Sequence, residues 1–296
     1  MASRGRSRAR VREALTGYAF ITPNVLLFTA FMFVPLALVF VSATRESSGL
    51  GPSTYVGLQN FTDLLEDDVF WRSLINTFGY AIVTLPLALA AGLGMAMLLN
   101  RPMWLRGLFR TVYFVPTVIS AVAAGIVASW IFNEEIGIAN KGLELLGLGP
   151  VAWRSSSFWA GLSVVVATLW ARIGVYMVVY LAALQSIPRE YYEASAVDGA
   201  GRWQTFRLVT LPGLRTSTAF LVVYGLIESF QVFDLIYVLT RGGPGNATEV
   251  LGTYAYQAAF VTRERGTGAA IGVVLYILLM VLSLVLWRRN KAEEED

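Results

Sequence analysis

Six stretches of this chain are apolar, poor in charge and long enough to cross a lipid bilayer as helices: Tyr18–Ser42, Leu74–Leu99, Leu108–Phe132, Phe158–Gln185, Leu214–Leu239 and Thr267–Trp287. A hydrocarbon core about 30 Å thick takes roughly 20 helical residues at about 1.5 Å each. The composition agrees, with 56% hydrophobic and 15% charged residues against roughly 25% charged in a soluble domain. The expected fold class is therefore an all-α membrane protein with six transmembrane helices. The first stretch is too long, and too poor in a small-residue cleavage site, for a removable signal peptide, and reads as a span.

Charge placement predicts the topology. Fifteen of the 23 basic residues fall in the N-terminal tail, the second and fourth connections and the C-terminal tail, counting Arg110 and Arg215 just inside the adjoining stretches. By the positive-inside rule both termini face the cytoplasm. The chain divides into a basic tail (1–17), a transmembrane domain (18–287) with a cytoplasmic loop at about 186–213, and a second tail (288–296). The alternating arginines Arg4, Arg6, Arg8, Arg10 and Arg12 lead directly into a span, so they read as an anchor against membrane lipid and not as a nucleic-acid site.

With no Cys and no His, the chain lacks disulfides, thiol nucleophiles and histidine relays, and an intramembrane enzyme is disfavoured. Pairs of small residues four apart (Ala90 and Gly94, Ala121 and Gly125, Gly268 and Gly272) predict close helix packing. Pro35, Pro86 and Pro116 predict bends within spans. Between spans, Tyr55–Trp71 reads as an amphipathic helix on the outer surface, with Phe61, Leu64, Leu65 and Phe70 opposite its carboxylates.

The fourth connection carries the most information. Pro188 stands where a helix can begin, Glu190 and Glu193 occupy its first turns, and Gly199 and Gly201 permit a sharp exit. A second short helix over Trp203–Leu208 is expected to end at Pro212. Such a helix, turn and helix can dock into a partner's groove.

Within it, Glu193-Ala194-Ser195, then Gly199, Val209 and Leu211-Pro212 at intervals of three, nine and one residues resemble the EAA loop of permease subunits of bacterial ABC importers. Ser195 and Val209 depart mildly from the family's Ala and Ile. Phe70-Trp71, Asn76-Thr77, the run Phe230–Thr240 and Gly242-Gly243-Pro244 are similar to the sugar and glycerol-3-phosphate branch, and the likeness spans nearly the whole chain. The resemblance implies the type I importer permease fold and a place in the cytoplasmic membrane of a bacterium. It further implies two ATPase subunits, a second and different permease, and an extracytoplasmic solute-binding protein as partners. Glu193, Ala194, Ser195, Asp198, Gly199, Leu211 and Pro212 would couple to the ATPases. No cofactor is expected in this chain: neither Lys141 nor Lys291 follows a glycine, as a phosphate loop requires, so ATP and Mg belong to the partners.

Ionisable groups at mid-span are functional candidates. Arg172 and Glu228 lie near the middle of the fourth and fifth stretches. With Tyr176, Gly225, Ser229 and Gln231 they are the expected substrate pathway, with Arg172 either contacting solute or pairing with Glu228. Asp234 and Trp170 are weaker candidates. A sugar would use aromatic faces and hydroxyl-binding groups, and a phosphate would favour Arg172. The competing reading is a stand-alone secondary transporter, which would need no docking loop and would more often show internal repeats.

Overall fold

The computed structural model describes residues 3–46 and 53–294; residues 1–2 and 295–296 of the two tails lie outside the described part. The first helix, α1 (Ser3–Phe28), starts well before the apolar stretch, because the Arg- and Ala-rich tail is itself a good helix former. A π-helical turn over Thr29–Phe33 leads into α2 (Val34–Ala43), and the Val34 N–H donates to Thr29 O. This widened turn directly precedes Pro35 and makes room for its ring, so the span passes Pro35 without a sharp kink.

Two short strands, β1 (Arg45–Glu46) and β2 (Thr54–Tyr55), pair antiparallel. The amphipathic helix α3 (Gln59–Glu66) follows, shorter than Tyr55–Trp71. Asp67 turns the chain into an extended conformation and caps α4 (Asp68–Leu99) by accepting the Val69 N–H at 2.8 Å. Phe70 and Trp71 therefore belong to the membrane helix. Buried Asn60 ties α3 back to the first span by donating to Ala43 O and Arg45 O.

The third stretch is not one straight helix. α5 (Arg106–Val118) and α6 (Ala121–Ile131) meet at 105°. Pro116 weakens the end of α5, and Ser120 starts α6 by accepting the Ala123 N–H. After α7 (Ile138–Leu145), buried Asn140 gathers the connection: it donates to Glu134 O and Val151 O and accepts from Val151 N and Trp153 Nε1. α8 (Ser157–Ser186) is the central span and packs on α4 and α5.

The 186–213 segment forms α9 (Arg189–Val197), α10 (Arg202–Thr205), a π turn (Phe206–Thr210) and α11 (Leu211–Gly213). Pro212 does not end the second helix, as the sequence suggested; the π turn before it accommodates the ring and helix continues to Gly213. The fifth stretch is also divided, into α12 (Arg215–Phe230) and α13 (Asp234–Leu239), with Gln231–Phe233 between them non-helical. A further helix missed in the sequence, α14 (Leu251–Tyr256), continues as a π turn (Gln257–Val261) and packs on α15 (Arg265–Glu294). Among the described residues four helices are long and apolar enough to cross a membrane alone, and up to six spans result when two bent pairs each count as one, α5 with α6 and Arg202–Gly213 with α12 at 65°.

Close packing follows small residues, though not all of the expected ones. A Cβ on Gly125 would press Val238 at 2.9 Å and one on Gly268 would meet Ala259 at 2.7 Å, whereas one on Gly94 would touch nothing within 4 Å. The stripe that α4 buries is two residues out of step with Ala90 and Gly94: Ala88, Gly92 and Ala96, with Gly92 seated against Tyr176. Apolar contact alone gives helices in lipid little reason to associate, so this fit contributes to holding α4 against α8.

Two motifs far apart in sequence meet at one end of the bundle. Asn76 donates to Asn246 O and Glu249 O, Arg72 to Gly245 O, and the Leu251 N–H to Thr77 Oγ1. Gly242 sits at φ +79° with its Cα against the buried Glu249 carboxylate, where any side chain would overlap. Burial raises the Glu249 pKa above the ordinary carboxylate range.

Candidate functional site

The loop after α8 is braced from within. Pro188, in an extended conformation, precedes α9, whose first turn holds Glu190 beside the positive end of the helix dipole. α9 stops where Gly199 takes φ +73°, and the Ala200 N–H returns to Ser195 O at 3.0 Å while the Asp198 N–H reaches Ala194 O at 2.9 Å. On the other side of the turn, Gln204 Oε1 accepts the Gly201 N–H at 2.8 Å and starts α10. The two arms are then joined by Ser195 Oγ and Thr205 Oγ1 at 2.7 Å and by Tyr192 Oη and Thr210 Oγ1 at 3.3 Å. At the base a Cβ on Gly213 would press Ile187 Cδ1 at 2.7 Å, so the ends of the loop lie side by side.

What the arms leave outward is as informative. Glu193, Ala194, Asp198, Gly199, Leu211 and Pro212 are exposed. So are the large apolar side chains Tyr191, Val197, Trp203 and Leu208, between 61% and 88% exposed, with Trp203 stacked on Phe206. Tyr191, Ala194, Asp198, Gln204, Leu208 and Pro212 are among the residues lining a hollow of about 740 Å³ between the arms. Of the seven residues assigned to coupling, Ser195 alone turns inward, half-buried and bonded to Thr205. Its departure from Ala gains a hydroxyl bridge inside the loop.

The expected pathway residues separate into three groups. Arg172 and Glu228 form an ion pair, Nη1 to Oε2 at 2.8 Å, with 25% and 32% of their side chains exposed. Glu228 occupies the last turn of α12, where outward-facing carbonyls disfavour a carboxylate, and Arg172 on α8 offsets both charges. Tyr176, Gly225 and Ser229 instead pack α8, α12 and α4 together. Tyr176 is 3% exposed, a Cβ on Gly225 would overlap Tyr176 Oη and Leu85 Cδ1, and the Ser229 hydroxyl donates to Gly225 O at 2.6 Å. Gln231 lies exposed at the break between α12 and α13, near exposed Asp234; Trp170 is exposed on α8.

Sequence reasoning missed the hydroxyl bonds that surround this region. Tyr80 Oη and Thr168 Oγ1 lie 2.8 Å apart between α4 and α8, and the Tyr180 hydroxyl donates to Thr218 Oγ1 at 3.2 Å between α8 and α12. The only signal for them was a Tyr or Thr within an otherwise apolar run, which does not name a partner.

Comparison with known proteins agrees with this architecture. Residues 88–290 match the family described as binding-protein-dependent transport system inner membrane component. The chain is 33% identical to the sulfoquinovosyl glycerol transport system permease protein SmoG of Agrobacterium fabrum, covering 93% of this chain and 90% of that one. It is 30% identical to the trehalose/maltose transport system permease protein MalF of Thermococcus litoralis, covering 94% and 95%. Among solved structures, a bacterial ABC transporter that imports the acidic polysaccharide alginate superposes with a TM-score of 0.85, over 97% of this chain and 99% of that one, at 24% identity, a likeness of fold. The chain, six spans with a braced loop between the fourth and fifth, thus belongs to the family of inner-membrane permease subunits of binding-protein-dependent ABC importers.

Proposed function

We propose that this permease moves a sugar-type solute into the cytoplasm, driven by two ATPase subunits that seat on the 186–213 loop. In this reading both termini are cytoplasmic, a second and different permease completes the path, and a solute-binding protein delivers from outside. ATP and Mg stay with the ATPases, since the phosphate-loop pattern is missing from the sequence. The observation that supports the coupling role is the loop itself: braced by its own bonds, it leaves Tyr191, Val197, Trp203 and Leu208 mostly exposed. A rigid helix with an unfilled apolar face suits insertion into a partner's groove, and Glu193 suits a charge-assisted bond to an arginine there.

The solute path is placed along α8 and α12 beside Arg172, Glu228 and Gln231. Two features support this. An exposed ion pair at mid-span is unfavourable against hydrocarbon, and broken helix at membrane depth is tolerated only inside protein or against water. The sugar class rests on the relatives named above. A phosphate solute is less well served, because Arg172 is already neutralised by Glu228. Purification of the tagged chain from its native membrane in mild detergent tests the assignment. An ATPase subunit should accompany the wild type and be lost from Gly199→Asp; wild type without any ATPase would support the secondary-transporter reading.

A further inference from the structure

Arg172 and Glu228 stand out among the charged residues of the spans by position. Every other carboxylate, Lys or Arg in the six apolar stretches lies within the first two or last two turns of its stretch. The pair is also open, with a quarter of the Arg172 side chain and about a third of the Glu228 side chain exposed although they bond each other at 2.8 Å. One turn before Glu228 on α12 stands half-buried Tyr224, whose ring packs on buried Tyr176 at 6.2 Å. Opposite charges in contact leave only a short-range dipole, so a solute passing this point meets a far weaker field than from either charge alone. Either charge alone would project strongly where water is scarce, since Coulomb energies grow as the local dielectric falls.

We propose that the Arg172–Glu228 pair is the charge selector of the path: closed, it keeps mid-span neutral, so that uncharged solutes pass and anionic or cationic ones are neither attracted nor trapped. The proposal rests on the placement of the path beside α8 and α12. It differs from a purely structural pair in assigning the field, rather than the helix contact, as the functional quantity. A bare Arg172 would hold an anionic sugar, and a bare Glu228 would repel it.

The native chain has no cysteine, so one introduced thiol can report the local field without identifying the solute. Tyr224→Cys places it one turn from Glu228 on α12, at a half-buried position. In membranes holding the full chain, the probes are the anionic sulfonatoethyl and the cationic trimethylammonioethyl methanethiosulfonates, each rate normalised to a free thiol in solution. With the pair intact the anionic to cationic rate ratio should stay within a factor of about three of the free-thiol ratio. Adding Glu228→Gln should raise it about tenfold, adding Arg172→Gln should lower it about tenfold, and Arg172→Gln with Glu228→Gln should return it to the intact value.

A ratio already displaced about tenfold in the intact protein overturns the proposal without any variant of the pair, which covers the case in which a single variant fails to accumulate. A ratio unmoved by either single substitution also overturns it, while leaving the path in place. Failure of the introduced thiol to react with both reagents would instead remove the path from this face, and the proposal with it.

Discussion

In the 186–213 loop the large side chains point away from the rest of the chain, whereas around Tyr176 three helices close until Gly225 has no room for a Cβ. The loop is specified locally: a proline start, a left-handed glycine, a side-chain cap and two hydroxyl bridges, all within about 25 residues. The mid-span region is specified by partners far apart in sequence, Arg172 with Glu228, Gly92 with Tyr176, Tyr80 with Thr168. Where structure is local and its outer face is unfilled, substitution should alter assembly more than folding. Where structure is long-range and filled, it should alter folding first.

The sharpest test of that contrast is Gly199→Asp. The site is open to solvent, so nothing in the chain clashes with a side chain, and the left-handed backbone costs an L-residue about 1–2 kcal/mol. Uptake should be abolished while the protein remains in the membrane; unchanged uptake would remove the loop from coupling. Next in size is the ion pair. Arg172→Gln or Glu228→Gln alone should lower stability in detergent by about 2 kcal/mol, less than for a fully buried pair because both side chains are partly exposed, and the double substitution should recover most of it. A double-mutant cycle on melting temperature checks this, and additive losses would mean that the two charges do not support each other. Uptake of glucosides and of glycerophosphodiesters by Glu228→Gln then separates path from scaffold: equal loss on both classes favours the scaffold.

Gly225→Val, which forces a branched side chain against Tyr176 and Leu85, should cost about 2 kcal/mol and lower the melting temperature. Ser195→Ala should cost about 1 kcal/mol or less through the lost bridge to Thr205, with uptake retained, since the change restores the family's residue. A larger loss of uptake would mean that Ser195 itself faces the ATPase. The smallest effect is on pH. The backbone N–H of Arg154 first, and then the Ser155 hydroxyl and N–H, hold the Glu134 carboxyl below its ordinary value of 4.5. The stability it supplies is therefore present above about that pH and is lost as the pH falls through the lowered value. Glu134→Gln should flatten the acid side of a melting-temperature profile slightly. Glu249 has the opposite sign: its raised pKa favours the folded state at low pH, and that contribution fades as the pH rises through the raised value.

The 186–213 loop was legible because its signals are short-range. Pro188, Gly199 and the small residues at 194–195 announce a helix, a turn and a close-packing face without reference to distant residues, although Pro212 misled by suggesting a stop where a π turn lets helix continue. The expected pathway residues were legible only as a set. An Arg and a Glu within apolar runs pointed to one another, yet Tyr176 and Ser229 proved to be buried packing residues, because exposure depends on how α4 seats against α8 and α12. The loop at 240–250 shows the same limit. Asn76-Thr77 and Gly242-Gly243-Pro244 were noticed as separate motifs, and nothing in either announces that one side chain holds the other's carbonyls.

The amino-acid order alone determined six apolar stretches, the family and the helix, turn and helix of the 186–213 loop, since each follows from composition, motifs and spacing along the chain. The tertiary structure decided the breaks at Ile119-Ser120 and Gln231–Phe233, the stripe Ala88, Gly92 and Ala96 that carries the α4 contact, and the closure of Arg172 on Glu228. These depend on which faces meet. In lipid, where apolar character no longer separates inside from outside, only steric fit and hydrogen-bond partners make that choice.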